Sequence, residues 1–124
     1  MDELIGRIVA NVGVDRSIAE QAVGVILDFL LKEGPSDKVQ SLVDALPGAA
    51  EAVQAARAGG SDGGGIFSGM GGIMGVGSRL MGIGLGMEQI RNVTREVIAY
   101  TREKAGNSAV DDVVGAIPGL SQFI

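Results

Sequence analysis

Apolar residues fall at Leu4, Ile5, Ile8, Val9 and Val12, the spacing of one face of a short helix. Gly13 ends that helix, because glycine enters the left-handed conformation of a helix C-terminus at little cost. A second helix is predicted over 18–33. Asp15 or Ser17 starts it, Ser17 with Glu20 in the Ser-x-x-Glu spacing of a capping box. Its run Ala22–Leu31, AVGVILDFLL, holds a single charge, Asp28, and is apolar nearly all round. A helix of that kind is central to a bundle or pressed against a partner chain. The run is too short to cross a bilayer. Gly24 within it marks a close helix crossing.

Gly34-Pro35 stops the second helix, and Ser36 caps a third that turns Val39, Leu42, Val43 and Leu46 inward. Pro47-Gly48 breaks again, with Pro47 suited to the first turn of the alanine-rich helix AAEAVQAARA, which ends at Gly59. That helix has few large apolar residues and is expected to be partly exposed. Residues 59–86 then hold thirteen of the chain's 21 glycines. A last long helix is expected over 87–104, with Ile90, Val93, Val97 and Tyr100 on one stripe. Ala105-Gly106 ends it, Asn107 caps a further helix with Val110, Val113, Val114 and Ile117 inward, and Pro118-Gly119 precedes a tail, LSQFI.

Laid on itself with a shift of 71, the chain places residues 4–48 on 75–119 without a gap. Gly6 meets Gly77, Gly13 meets Gly84, Val39 meets Val110 and Val43 meets Val114. Ala45-Leu46-Pro47-Gly48 meets Ala116-Ile117-Pro118-Gly119, and cap Ser36 meets cap Asn107. Apolar pairs such as Ile26/Val97, Leu27/Ile98 and Phe29/Tyr100 coincide too. Seven identities in 45 positions are few, but breaks, caps and core positions fall together, the signature of an internal repeat. The expectation is one all-α domain, 1–124. It is a helical bundle of two similar halves, 1–58 and 75–124, joined by a glycine-rich linker, 59–74. Residues 75–85 should form a glycine-rich helix matching the N-terminal one. Of the two long helices, the first is built to be central and the second, with its charged back, peripheral.

Ala45-Leu46-Pro47-Gly48-Ala49, the run GGIFSGMGGIMGVGSRLMGIGLG and the following helix ending at Ala105-Gly106 give the chain a resemblance to a family of small helical bacterial proteins of unknown function, the VcgC/VcgE-like type. The resemblance covers most of the chain and is compositional. It implies a bacterial, helical protein and carries over no activity, cofactor or functional residue.

Composition narrows the chemistry. The chain has no cysteine and no histidine, which removes disulfides, the usual zinc sites and every Ser-His or Cys-His catalytic pair. The lack of cysteine fits a reducing cytoplasm, and the acidic start MDELIGRIV is not a secretory signal. The net charge of −5 repels a phosphate backbone, so nucleic-acid binding is not expected. Arg91, Arg95 and Arg102 are interleaved with Glu88, Glu96 and Glu103, which reads as a solvated mixed-charge face. The glycines are followed by no Gly-Lys-Ser/Thr and do not meet the G-x-G-x-x-G register, so no nucleotide site is expected. Asp111 and Asp112 are adjacent and diverge on a helix, and Asp37 and Asp44 lie two turns apart. Asp28 is the one acid that burial would make unusual.

The expected role is that of a non-enzymatic interaction or self-assembly protein, a homodimer or the partner of another protein, without cofactor or metal. Its contact surfaces are expected at Val23, Leu27, Leu30 and Leu31 and at Met70, Met74 and Met81, since methionine suits an adaptable interface. The alternative is a membrane-associating glycine zipper. Gly65/Gly69, Gly71/Gly75 and Gly82/Gly86 are small-xxx-small pairs, although Arg79 sits mid-segment. A carrier of a small apolar ligand is a further alternative.

Overall fold

The structure, a computed structural model, describes residues 2–46, 48–60 and 72–117, with backbone alone at 36, 56–60, 72–75 and 78. The described residues form seven helices and no strand: α1 (Asp2–Val12), α2 (Arg16–Glu33), α3 (Ser36–Ala45), α4 (Ala49–Gly60), α5 (Gly72–Gly82), α6 (Met87–Ala105) and α7 (Asn107–Ala116). The chain is all-α, as its periodicity predicts.

α1 buries Leu4, Ile5 and Ile8, the face its spacing marks. It ends where Gly13 takes φ +82 and donates its N–H to the Val9 carbonyl at 3.2 Å. Every residue of α2 from Ala22 to Leu30 is buried, Gly24 and Asp28 included. The nearly all-round apolar surface of this helix is covered by the chain's own helices. α4 lies along α2, α5 and α1 pack on it, and α6 and α3 close the remaining sides. α6 buries a narrower stripe, Ile90, Val93, Val97, Ile98 and Tyr100, and keeps much of its surface in water. Burying the α2 side chains is worth about 1.5–3 kcal/mol for each large one, which makes this helix the anchor of the core.

Of the expected starts, Asp15, one of two candidates, stands at the start of α2, and the other two shift. α2 begins at Arg16 with Asp15 as the flanking residue, and neither Asp15 nor a capping box at Ser17 supplies a side-chain cap. The Asp15 carbonyl instead accepts from the Ala19 N–H at 2.9 Å. α3 and α7 begin at Ser36 and Asn107 themselves, so these are first helical residues and the flanking residues are Pro35 and Gly106. Extended Pro35 and left-handed Gly106 turn the chain into the helix by backbone conformation.

The glycine-rich segment is partly helical. Gly59 and Gly60 close α4, residues 72–74 open α5, and 61–71 lie outside the described residues. The glycine-rich helix expected over 75–85 is present as α5.

α1, α2 and α3 recur as α5, α6 and α7 at a spacing of about 71 residues, and α3 and α7 coincide in both ends. Leu46 closes α3 at φ −104, ψ 109, and Ile117 closes α7 at φ −106, ψ 110. Each donates its N–H three residues back, to Val43 and Val114 respectively. Helix packing crosses between the two sets: α1 lies on α6, α5 on α2, α2 on α6 and α3 on α7.

Candidate functional site

The residues expected to form a contact surface divide sharply. Val23, Leu27 and Leu30 lie in the interior core, and Leu31 is half-buried against it. They are therefore not a surface of the folded chain. The correction has a simple cause: an apolar face looks the same in sequence whether a partner or the chain's own helices cover it. Met74 belongs to α5, with its side chain outside the described part, and Met70 lies outside the described residues. Met81 is at the surface, 49% exposed.

Met87, which was not expected at an interface, is 59% exposed. It opens α6 one turn before Ile90 and off the stripe of inward residues, and that position is the signal that would have found it. Between the two methionines, Gly82-Ile83-Gly84-Leu85-Gly86 contains no charge. Leu85 is buried and donates its N–H to the Leu80 carbonyl at 3.2 Å, while Gly84 at φ +107 makes the turn. The result is a tight turn with an exposed methionine on each side and no ionic group.

Asp28 is the buried acid that the composition made conspicuous. Its side chain has no exposed surface, and Arg79 of α5 donates to its Oδ2 at 3.2 Å. Lys32, one helical turn on, approaches the same oxygen at 3.3 Å. The one charge of the α2 apolar run and the one charge of the α5 segment thus neutralise each other across a helix interface. The pair anchors α5 to α2, and Arg79 is committed within the bundle instead of being a cost to membrane insertion. No helix among the described residues is long and apolar enough to cross a membrane.

The charges of α6 are sorted by side. Glu96 and Glu103 face α1, where Arg7 donates to Glu103 Oε2 at 2.6 Å and its Nε lies 3.5 Å from Glu96 Oε2. Asn11 donates to Glu96 Oε1 at 3.1 Å. The Arg7 and Lys104 cations sit 5.9 and 5.5 Å from the centroid of the buried Tyr100 ring. The hydrogen bond to Glu103 raises the Arg7 pKa above its ordinary value, so the cation persists at any ordinary pH. Arg91, Arg95 and Arg102 remain on the other side of the helix. Arg95, Ile98, Ala99 and Arg102 line an open groove of about 320 Å³ there. Of the charges expected on one mixed face, Glu96 and Glu103 lie toward α1, while Glu88 shares the side of Arg91, Arg95 and Arg102 by its spacing, so that side remains mixed in charge.

Among the described residues, no cluster of acidic side chains is placed to hold a metal ion. No protein-family model matches the chain, and no curated protein or solved structure shows significant similarity to it. The site rests on its own geometry.

Proposed function

We propose that this chain is a non-enzymatic interaction protein that self-associates through the methionine turn between α5 and α6. The observation that carries this reading is the pair Met81 and Met87, 49% and 59% exposed, flanking a turn with no charge. Single exposed apolar residues are ordinary on a protein surface. Two flexible, polarisable side chains on one uncharged turn form a small adaptable patch. The scaffold presenting it is read as two duplicated helical halves around one core. Helices recurring at a spacing of 71 and the matching closures at Leu46 and Ile117 support that reading.

Light scattering coupled to size-exclusion chromatography over a range of concentrations tests it. The expected species is a dimer. Met81→Glu with Met87→Glu should convert it to a monomer of unchanged helicity and melting temperature. A wild-type protein that stays monomeric at every concentration overturns self-association.

A further inference from the structure

The turn between α1 and α2 serves as a control for the turn between α5 and α6. At the shift of 71, Met81 falls on Ala10, Gly84 on Gly13 and Met87 on Arg16. Both glycines take positive φ, +82 at Gly13 and +107 at Gly84. Ala10 and Arg16 are exposed, as Met81 and Met87 are. The first turn is thus made without a thioether at either place, and the turn geometry does not require one. The surface around the second turn is open. Among the described residues, a Cβ at Gly82 would meet no atom within 4 Å. One at Gly84 or Gly86 would meet only a side-chain end, Ile18 Cδ1 at 3.9 Å or Gln89 Oε1 at 3.7 Å. A small solute therefore reaches both methionines from solvent. The chain has five methionines and no cysteine, so no thiol competes with them for an oxidant.

We propose that Met81 and Met87 are an oxidation site for hydroperoxides that switches the contact surface off, a reading that rests on self-association through this turn. In each step the thioether sulfur attacks the terminal oxygen of the hydroperoxide. An S–O bond forms as the O–O bond breaks, and the hydroxyl proton ends on the departing oxygen. The sulfur loses two electrons and becomes a sulfoxide, while the hydroperoxide is reduced to water or an alcohol. The product is polar and chiral where the patch was apolar and adaptable. A symmetric dimer would have to bury four such groups, two from each copy, without hydrogen-bond partners. Because the fold does not use the two thioethers, oxidation changes the surface and leaves the bundle intact. The dimer in turn shields both sulfurs, so association and oxidation oppose each other.

The test treats full-length protein with hydrogen peroxide at several protein concentrations. Peptide mass spectrometry follows each methionine, and light scattering with size-exclusion chromatography follows the oligomer. At the lowest concentration Met81 and Met87 should oxidise within about threefold of the rate of a short unstructured methionine peptide. Raising the concentration through the association range should slow both. Complete oxidation should weaken association at least about tenfold and leave helicity and melting temperature unchanged. Methionine sulfoxide reductases of both stereospecificities should restore the dimer. Met81→Leu/Met87→Leu keeps the other three methionines and an apolar patch, and it should stay dimeric under peroxide. Oxidation of the two positions more than about tenfold slower than the peptide overturns the site. A dimer that persists with both sulfoxides formed overturns the switch, and Met81→Glu with Met87→Glu then decides separately whether the turn is the contact. A melting temperature lowered by oxidation, or a leucine variant that dissociates under peroxide as the wild type does, also overturns the switch and leaves self-association standing. A wild type that is monomeric at every concentration removes self-association, and the switch with it, whatever the rates of oxidation.

Discussion

Asp28 shows how much one residue's environment differs from its sequence neighbourhood. A carboxylate among valine, isoleucine, leucine and phenylalanine is costly to bury unless cations and hydrogen bonds reach it. Arg79, 51 residues away, reaches it from α5. Arg79→Leu should destabilise the fold by about 2–4 kcal/mol in urea titration, somewhat below the usual loss for breaking a buried pair because Arg79 is 28% exposed. Adding Asp28→Leu should recover part of that loss, since both charges then leave together. Two glycines separate space from torsion. A Cβ at Gly34 would lie 2.8 Å from both the Leu30 carbonyl oxygen and Val39 Cγ2, so Gly34→Ala should cost about 1–3 kcal/mol by overpacking. At Gly106 no atom obstructs a Cβ, but φ 96, ψ 155 is glycine territory. Gly106→Ala should cost a similar 1–3 kcal/mol through backbone strain alone. Thermal melts of both variants check these values.

The comparison of α2 with α6 is the lesson at the scale of elements. Both helices bury a matched set, Ala22/Val93, Ile26/Val97, Leu27/Ile98 and Phe29/Tyr100. They differ in their neighbours, since α4 lies along α2. At two of the core positions α6 even substitutes hydroxyls, Thr94 and Thr101, which stay buried by donating to the Ile90 and Val97 carbonyls at 2.8 and 2.7 Å. Leu27 is therefore structural. Leu27→Ala should cost about 2–5 kcal/mol in chemical denaturation and leave the oligomeric state of the folded fraction unchanged. A helix that kept its stability and lost only its dimer would return Leu27 to an interface.

The whole molecule is tied together crosswise. α1 spends its apolar face on α6, and α5 spends its own on α2. Lys38 of α3 adds a 3.1 Å ion pair to Asp112 of α7, although such an exposed pair is worth only about 0–1 kcal/mol. Residues 1–60 pack α4 along α2, while α5, α6 and α7 have less packing among themselves and lie largely against α1, α2 and α3. Fragment 72–124 should show little helicity alone by circular dichroism and fragment 1–60 should keep more of it, because short helices are marginal in water without tertiary contacts and α4 still packs along α2 in the first fragment. An equimolar mixture should regain most of the intact signal. Two independently helical fragments would mean that the halves are separate bundles.

The sequence by itself determined the helices, their breaks and the face each would bury. Those features depend on spacing of three and four residues and on local glycine and proline chemistry, as at Gly13, Gly34-Pro35 and Gly106. It also carried the shift of 71, and with it the glycine-rich helix α5. The tertiary structure decided what covers each face. Whether Val23, Leu27 and Leu30 meet a partner or the chain's own helices, and whether Asp28 finds Arg79, depend on contacts between residues far apart in the chain. An apolar stripe states only that water is to be excluded. The identity of the group that excludes it emerges when the helices pack, and among the described residues that leaves Met81 and Met87 facing outward.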